Sequence, residues 1–238
     1  MKGKTIARIV LFSMIALVLL CVLLAGLGLS SFAKPVSSQI VSAQSTGSEH
    51  EFAPGEVSAL FISWASGDID IQPADQDTVT VIEERSGGSS MVVRHLGSTL
   101  EIEAGESKWG LVFGKSNQKN LTVRVPRDWL CQSLEVSAAA ADIRVDGLTI
   151  TSVALNTASV NCVFTDCAVE KMQVNTASGD LNLTLPDNCG FTLNRSSLSG
   201  AFQSDFATTT ENDKIVCGDG ACQITFSSLS GNINICRK

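Results

Sequence analysis

The chain has 238 residues, a formal net charge of −7 and 17% charged residues, and it contains no Tyr. That length allows one domain or two small ones, and the excess of acid argues against nucleic acid or anionic lipid as the main partner. Nineteen Gly and abundant Ser, Thr, Asn and Asp, against only five Pro, suit many short strands and turns better than helices.

No charged residue occurs from Ile9 to Leu29, a run of 21 positions preceded by Lys2, Lys4 and Arg8. A helix of that length crosses a bilayer core of about 30 Å, and flanking positive charge stays on the cytoplasmic side. Residues 1–33 are therefore predicted to be a cytoplasmic tip and an uncleaved transmembrane signal anchor, with the rest of the chain extracytoplasmic. A cleaved signal peptide is the alternative, since "SFA" (31–33) and "VSA" (41–43) both end in small residues. The apolar run is, however, longer than the usual signal core of about 7–15 residues. Beyond Ala33 stand 14 Lys and Arg against 24 Asp and Glu, a net charge of −10. Residues 34–56, polar, Ser-rich and without period, read as a flexible stalk.

Residues 57–238 are predicted to form the ectodomain. Its first part, "SALFISWASGDIDIQP", "TVTVIEER", "SMVVRHLGSTLEIEAG" and "NLTVRVP", alternates like strands with hairpin connections. It suggests an antiparallel cap ended by Pro126. Glu83, Glu84, Glu101 and Glu103 read as exposed strand charges, and His95 as an exposed or hydrogen-bonded strand residue. Between these strands lies "GESKWGLVFGKSNQKN" (105–120). Trp109 and Phe113 make it either an interaction loop or a cover for the first repeat.

A repeat follows. Aligned on the Gly of "SGD", its copies are anchored at Gly67, Ala141, Val160, Gly179, Gly200 and Gly231, with steps of 19, 19, 21 and 31 residues from 141 onward. A near-constant step of about 20 residues marks a repeat protein. Two residues past each anchor stand Ile69, Ile143, Cys162, Leu181, Phe202 and Ile233; four past stand Ile71, Val145, Phe164, Leu183, Ser204 and Ile235. Mostly polar residues separate them, so each copy is a strand with one face buried. Five before the anchor come Ile62, Val136, Leu155, Val174, Arg195 and Phe226, a second strand entering the turn. Each unit is strand, tight corner, strand. One unit cannot bury its apolar face alone, so the units must stack. The predicted fold is all-β, a β-solenoid-like stack of ~20-residue strand-turn-strand repeats.

"NLTVRVPRDWLCQSLEVSAAAADIRVDGLTITSVALNTAS" followed by "VNTASGDLNL" resembles the bacterial DUF4097 domain, a family that carries an adhesin label. The family pattern is an "LTVxVP" strand before repeated "SGDIxv" units. It is matched at Leu121–Pro126, Asp142–Val145, Ser178–Leu183 and Ser230–Ile235, and the resemblance covers about residues 57–236. It departs at "AAAA" (138–141) and at Val160, where those rungs are expected to turn differently. The resemblance implies an all-β stack displayed outside a membrane and brings no catalytic residue with it.

Seven cysteines follow the apolar segment, an odd number without CxxC spacing, and the chain has two histidines. A zinc site is therefore not expected. "KIVCGDGACQITF" (214–226) reads as a hairpin around Asp-Gly, which would place Cys217 and Cys222 opposite each other for a disulfide. Cys167 and Cys189 are a second candidate pair; the alternative is that all seven are buried small apolar residues.

No nucleophile elbow, phosphate loop or metalloprotease helix occurs, and neither catalytic residues nor a cofactor are expected. The column Asp68, Asp142, Asn161, Asp180, Ala201, Asn232 could hold Ca²⁺ or serve backbone donors at turns, the reading preferred here. Thr157 and Thr176 are too few for an ice-binding array. The expectation is a single-pass cell-membrane protein with its N-terminus inside and its β-domain outside. It would be non-enzymatic, serving surface adhesion or envelope signalling with an envelope protein or cell-wall glycan as partner. A carbohydrate-active solenoid enzyme and a structural spacer are the alternatives.

Overall fold

A computed structural model describes residues 41–46, 49–84, 91–104 and 119–238. The expected membrane helix, Trp109 and Phe113 lie outside the described residues. In chain order the strands are β1 (Val41–Thr46), β2 (Glu49–Phe52), β3 (Ala59–Ala74), β4 (Val79–Glu84), β5 (Val92–Leu96), β6 (Thr99–Glu103), β7 (Asn120–Pro126), β8 (Leu130–Asp146) and β9 (Thr149–Ser159). They continue with β10 (Cys162–Thr165), β11 (Ala168–Ser178), β12 (Leu181–Leu185), β13 (Phe191–Ser199), β14 (Phe202–Ser204), β15 (Thr209–Glu211), β16 (Lys214–Cys217), β17 (Cys222–Ser230) and β18 (Ile233–Arg237). The described domain is all-β, as the alternation predicts.

Each rung lays one strand on either side of a corner, and the rungs pair in parallel. On the first face the order is β6, β3, β8, β9, β11, β17, β13. On the second it is β7, β3, β8, β10, β12, β18, β14. Strands β3 and β8 run unbroken through the corner and belong to both faces. The inward columns fill the space between the faces: Ile62, Val136, Leu155, Val174 and Phe226 from one side, and Ile69, Ile143, Cys162, Leu181 and Ile233 from the other, are all buried.

The corner glycines show why small residues recur. Gly179 has φ +134, and a Cβ there would lie 1.9 Å from the Val160 carbonyl oxygen. Only glycine fits a left-handed backbone pressed against its neighbour. Ala141 and Val160 lack positive φ, but so does Gly231, and the left-handed corner occurs at Gly67, Gly179 and Gly200.

The order in space is not the order in sequence. The last rung, β17–β18, lies between β11–β12 and β13–β14. Likewise β3 lies inside β6 and β7, although it precedes them. The columns give a physical reason at the C-terminal end. The inserted rung presents Phe226, Ile233 and Ile235, all buried. The outer rung presents Arg195 and Ser204 in the same columns and tolerates the end of the stack, where a repeat protein needs a more polar surface.

Antiparallel strands cover both ends. At the N-terminal end β5 pairs with β6 and β4 with β7; at the other, β16 pairs with β13 and β15 with β16. The expected antiparallel first part is thus an antiparallel cover on two parallel rungs. The expected stalk needs correction as well: β1 pairs with β5 and β2 with β4. Phe52 packs on the core, 5.8 Å from the His95 ring centroid. An uncovered β4 would leave a row of unpaired backbone groups, and Glu49–Phe52 covers it.

The hairpin reading of 214–226 also fails. Strand β13 lies between β16 and β17, with Phe191 in register with Cys217 on one side and Cys222 on the other. Two strand spacings separate those cysteines by about 9–10 Å, beyond the roughly 7 Å a disulfide spans without backbone movement.

Candidate interaction surface

The acidic corner column is a hydrogen-bonding ladder between rungs. Asn120 Oδ1 accepts the Asp68 N–H at 3.2 Å, Asp142 Oδ1 the Asn161 N–H at 3.1 Å, and Asn161 Oδ1 the Asp180 N–H at 3.3 Å. Asp180 Oδ1 accepts the Asn232 N–H at 2.7 Å, and Asn232 Oδ1 accepts the Ala201 N–H at 2.9 Å. Arg144 Nη1 lies 3.4 Å from Asp68 and 3.8 Å from Asp70. Burial lifts the Asp70 carboxyl above the ordinary range, with Arg144 opposing it. Asp142, Asn161, Asp180 and Asn232 thus each spend a side-chain oxygen on a backbone donor of the next rung, whereas Asp68 faces Arg144. Among the described residues no cluster of His, Cys, Asp or Glu is arranged to hold a metal ion.

The outer side of the first face is different. Because side chains alternate along a strand, the positions four before each anchor point outward: Ser63, Ser137, Asn156, Asn175, Ser227 and Ser196 in spatial order. Asn175 Nδ2 donates to Asn156 Oδ1 at 3.0 Å, so part of this column is an amide ladder. Two before each anchor stand Ala65, Ala139, Ala158, Ala177, Leu229 and Leu198, the last 48% exposed. None of these twelve residues is charged. They form a polar row of hydroxyls and amides beside an apolar row, repeating every ~4.8 Å with the strands. Charge returns at the N-terminal edge, where Glu103 of β6 stands in register with Ser63 and pairs with Arg94, and further from the corner at Glu135, Glu170 and Lys171.

Sequence reading followed the inward columns and passed over this surface. The signal was present in the outward column, where every residue four before an anchor is Ser or Asn.

Other expected site residues sit as follows. Thr157 and Thr176 point inward and are buried, with Ser228 completing the row, so they form no outer array. His95 Nε2 is 3.2 Å from the Glu56 carbonyl oxygen, which fits a hydrogen-bonded strand histidine. Glu101 and Glu103 pair with Arg94 at 3.1 and 2.9 Å. Glu83 is not an exposed charge. Its side chain is buried, 2.7 Å from Lys119 Nζ, and accepts the Met91 N–H at 2.9 Å. An inward position at the end of β4 becomes acidic because these two donors converge on it.

The seven cysteines from Cys131 to Cys236 are free thiols. Cys167 donates weakly to the Val145 carbonyl at 3.5 Å, whereas Cys189 adjoins β13 at the far end of the stack. A shallow groove of about 510 Å³ between Pro54–Ser58 and Pro126–Gln132 is floored by Trp129. That indole is 7% exposed and donates to the Val57 carbonyl at 2.8 Å, so it is a packing element.

A family model described as Toastrack DUF4097 matches residues 57–184. No curated protein matches the chain. The crystal structure of a protein of Clostridium sporogenes ATCC 15579, named as a candidate cell adhesion protein, aligns with a TM-score of 0.66 at 12% identity. The alignment covers 82% of this chain and 99% of that one. A protein of Bacteroides fragilis NCTC 9343, named as a candidate adhesin, aligns over 83% of this chain and 100% of its own at 10% identity, with a TM-score of 0.33. The first likeness is one of fold alone.

Proposed function

The chain belongs to the Toastrack DUF4097 family, and we propose that it is a membrane-anchored extracytoplasmic protein that binds neutral cell-envelope glycan without catalysing a reaction. The observation that carries this reading is the uncharged outer face from Ser63 to Ser196. A molecule of net charge −7 leaves these two columns free of charge across the six rungs from β3 to β13. Hydroxyls and amides in a row can exchange hydrogen bonds with sugar hydroxyls, and the adjoining Ala and Leu row can meet the apolar faces of sugar rings. A surface that repeats with each rung suits a repeating polymer. The fold neighbour named for cell adhesion is in keeping with a binding role. Against catalysis stands the use of the corner carboxylates as backbone acceptors. The apolar run Ile9–Leu29 behind Lys2, Lys4 and Arg8 supports the anchor and its orientation.

Two experiments test the reading. Protease added to intact protoplasts should remove the β-domain; protection alongside a cytoplasmic marker would reverse the topology. Full-length protein in right-side-out vesicles should co-sediment with purified cell-wall glycan. The double variant Ser137→Arg, Ser227→Arg should weaken this at least tenfold while a pair of charges on the second face does not. Equal binding by both variants would remove the assigned face, and capture of an envelope protein in place of glycan would redirect the reading to signalling.

A further inference from the structure

Two Cys-Gly dipeptides, Cys189–Gly190 and Cys217–Gly218, meet at the C-terminal end of the stack. Opposed strand residues share a face, so Cys217 and Cys222 enter the core on either side of Phe191, and both are buried. Cys189, two residues before Phe191, packs against the same core yet stays partly exposed. The glycines set the approach. A Cβ on Gly218 would lie 3.3 Å from the Gly190 Cα, and a Cβ on Gly190 would lie 2.7 Å from the Cys217 carbonyl oxygen. Backbones that touch at two glycines bring the adjoining cysteines together. Burial, then Asp219 and Cys217, raises the pKa of the Cys189 thiol, and Cys189 in turn adds to the burial-raised pKa of Cys222, so both buried cysteines lie within its electrostatic reach.

We propose that Cys189 and Cys217 are a thiol–disulfide site whose closure clips the β15–β16 flap to the terminal rung. The co-reactant is a low-molecular-weight disulfide. The Cys189 thiolate, the accessible one, attacks one of its sulfurs, forms a mixed disulfide and releases one small thiolate. Cys217 loses its proton to solvent and attacks the Cys189 sulfur, displacing the second small thiolate. Two protein thiols and one small disulfide become one protein disulfide and two small thiols.

Cys217 is the partner rather than Cys222 for a mechanical reason. Cys222 opens the inserted rung, and its N–H is bonded to the Gly190 carbonyl at 3.0 Å, so moving it disturbs a long parallel ladder. Cys217 ends an antiparallel ladder of only three residue pairs, so moving it disturbs few backbone hydrogen bonds. The bridge would enclose the exposed segment 207–214. This inference does not depend on the glycan reading.

Full-length protein treated with oxidised glutathione, alkylated and digested without reduction should yield a Cys189–Cys217 peptide pair. Protein nicked within 207–214 should run as one chain on a denaturing gel until reduced. The pair should persist in Cys222→Ser and vanish in Cys189→Ser. Alkylated thiols at both Cys189 and Cys217 after oxidation, or a bridge to Cys222, would overturn the proposal. The wild-type map decides between these outcomes even where a variant fails to fold.

Discussion

Asn232 donates twice to one oxygen of Asp180, through its backbone N–H at 2.7 Å and its side-chain amide at 3.1 Å. The two residues are 52 positions apart in sequence but in adjacent rungs, because β17–β18 is inserted beside β11–β12. This contact joins the corner ladder across the point where sequence order and spatial order part.

Asp180→Ala should therefore cost about 1–3 kcal/mol, since it leaves the Asn232 N–H without its acceptor. Asp180→Asn keeps an acceptor oxygen and should cost less than half as much. Urea unfolding of the two variants measures the difference. Equal losses would mean that the corner ladder contributes charge and not hydrogen bonding.

Insertion of the last rung makes a second expectation. A chain ending at residue 221 lacks β17 and β18, the parallel partners of β13 and β14. Residues 191–217 would then hang from the stack without a neighbour. Limited proteolysis of that truncation should digest 191–217 while 130–185 resists. Protection of 191–217 would show that it can dock directly on β11–β12.

The rungs were legible because period-two columns and corner glycines are local. Leu181 and Leu183 repeat what Ile143 and Val145 do 38 residues earlier, and both pairs are buried. The order of rungs was not legible, because it depends on which rung tolerates the end of the stack. Arg195, standing where its counterparts are apolar, was the available clue. The pairing of Glu49–Phe52 with β4 was hidden for a related reason: a strand that only covers an edge needs little apolar alternation. Cys217 and Cys222 misled because Asp-Gly is a hairpin signal, and here a distant strand, β13, lies between the two arms.

Gly179→Ala should be severe. Its Cβ would lie 1.9 Å from the Val160 carbonyl oxygen on a backbone at φ +134, combining a clash with left-handed strain. Loss of about 3 kcal/mol or more is expected, or failure to fold. Gly55→Ala has nothing within 4 Å of the new methyl and should stay within about 0.5 kcal/mol of wild type. Thermal melts of the pair check this, and a mild Gly179→Ala would mean that the corner can open.

Glu83 is a different kind of core residue. Removing one partner of a buried ion pair costs about 3–5 kcal/mol, and Glu83→Ala removes the carboxylate that meets both Lys119 Nζ and the Met91 N–H. Glu83→Gln keeps an acceptor for Met91 and should lose less. Denaturant midpoints distinguish them, and a neutral Glu83→Ala would show that the pair is not needed to hold β4 against β7.

The buried thiols set an alkaline limit on stability. Burial pushes Cys131, Cys162 and Cys222 up from an ordinary value of 9.0 to about 12, and Cys167 to about 11. Between about pH 9 and pH 12 the unfolded chain gives up these protons while the folded chain keeps them. The folded state then binds more protons, so stability falls as pH rises. Below pH 9 both states hold the proton and the contribution is fully present. At pH 10 each such thiol should cost about 1.4 kcal/mol relative to pH 8. Cys162→Ala loses packing at every pH but removes one titration, so its drop in urea-unfolding free energy between pH 8 and pH 10 should be smaller than wild type's by about that amount. An identical drop in the two proteins would mean that the Cys162 thiol is not held protonated by the core.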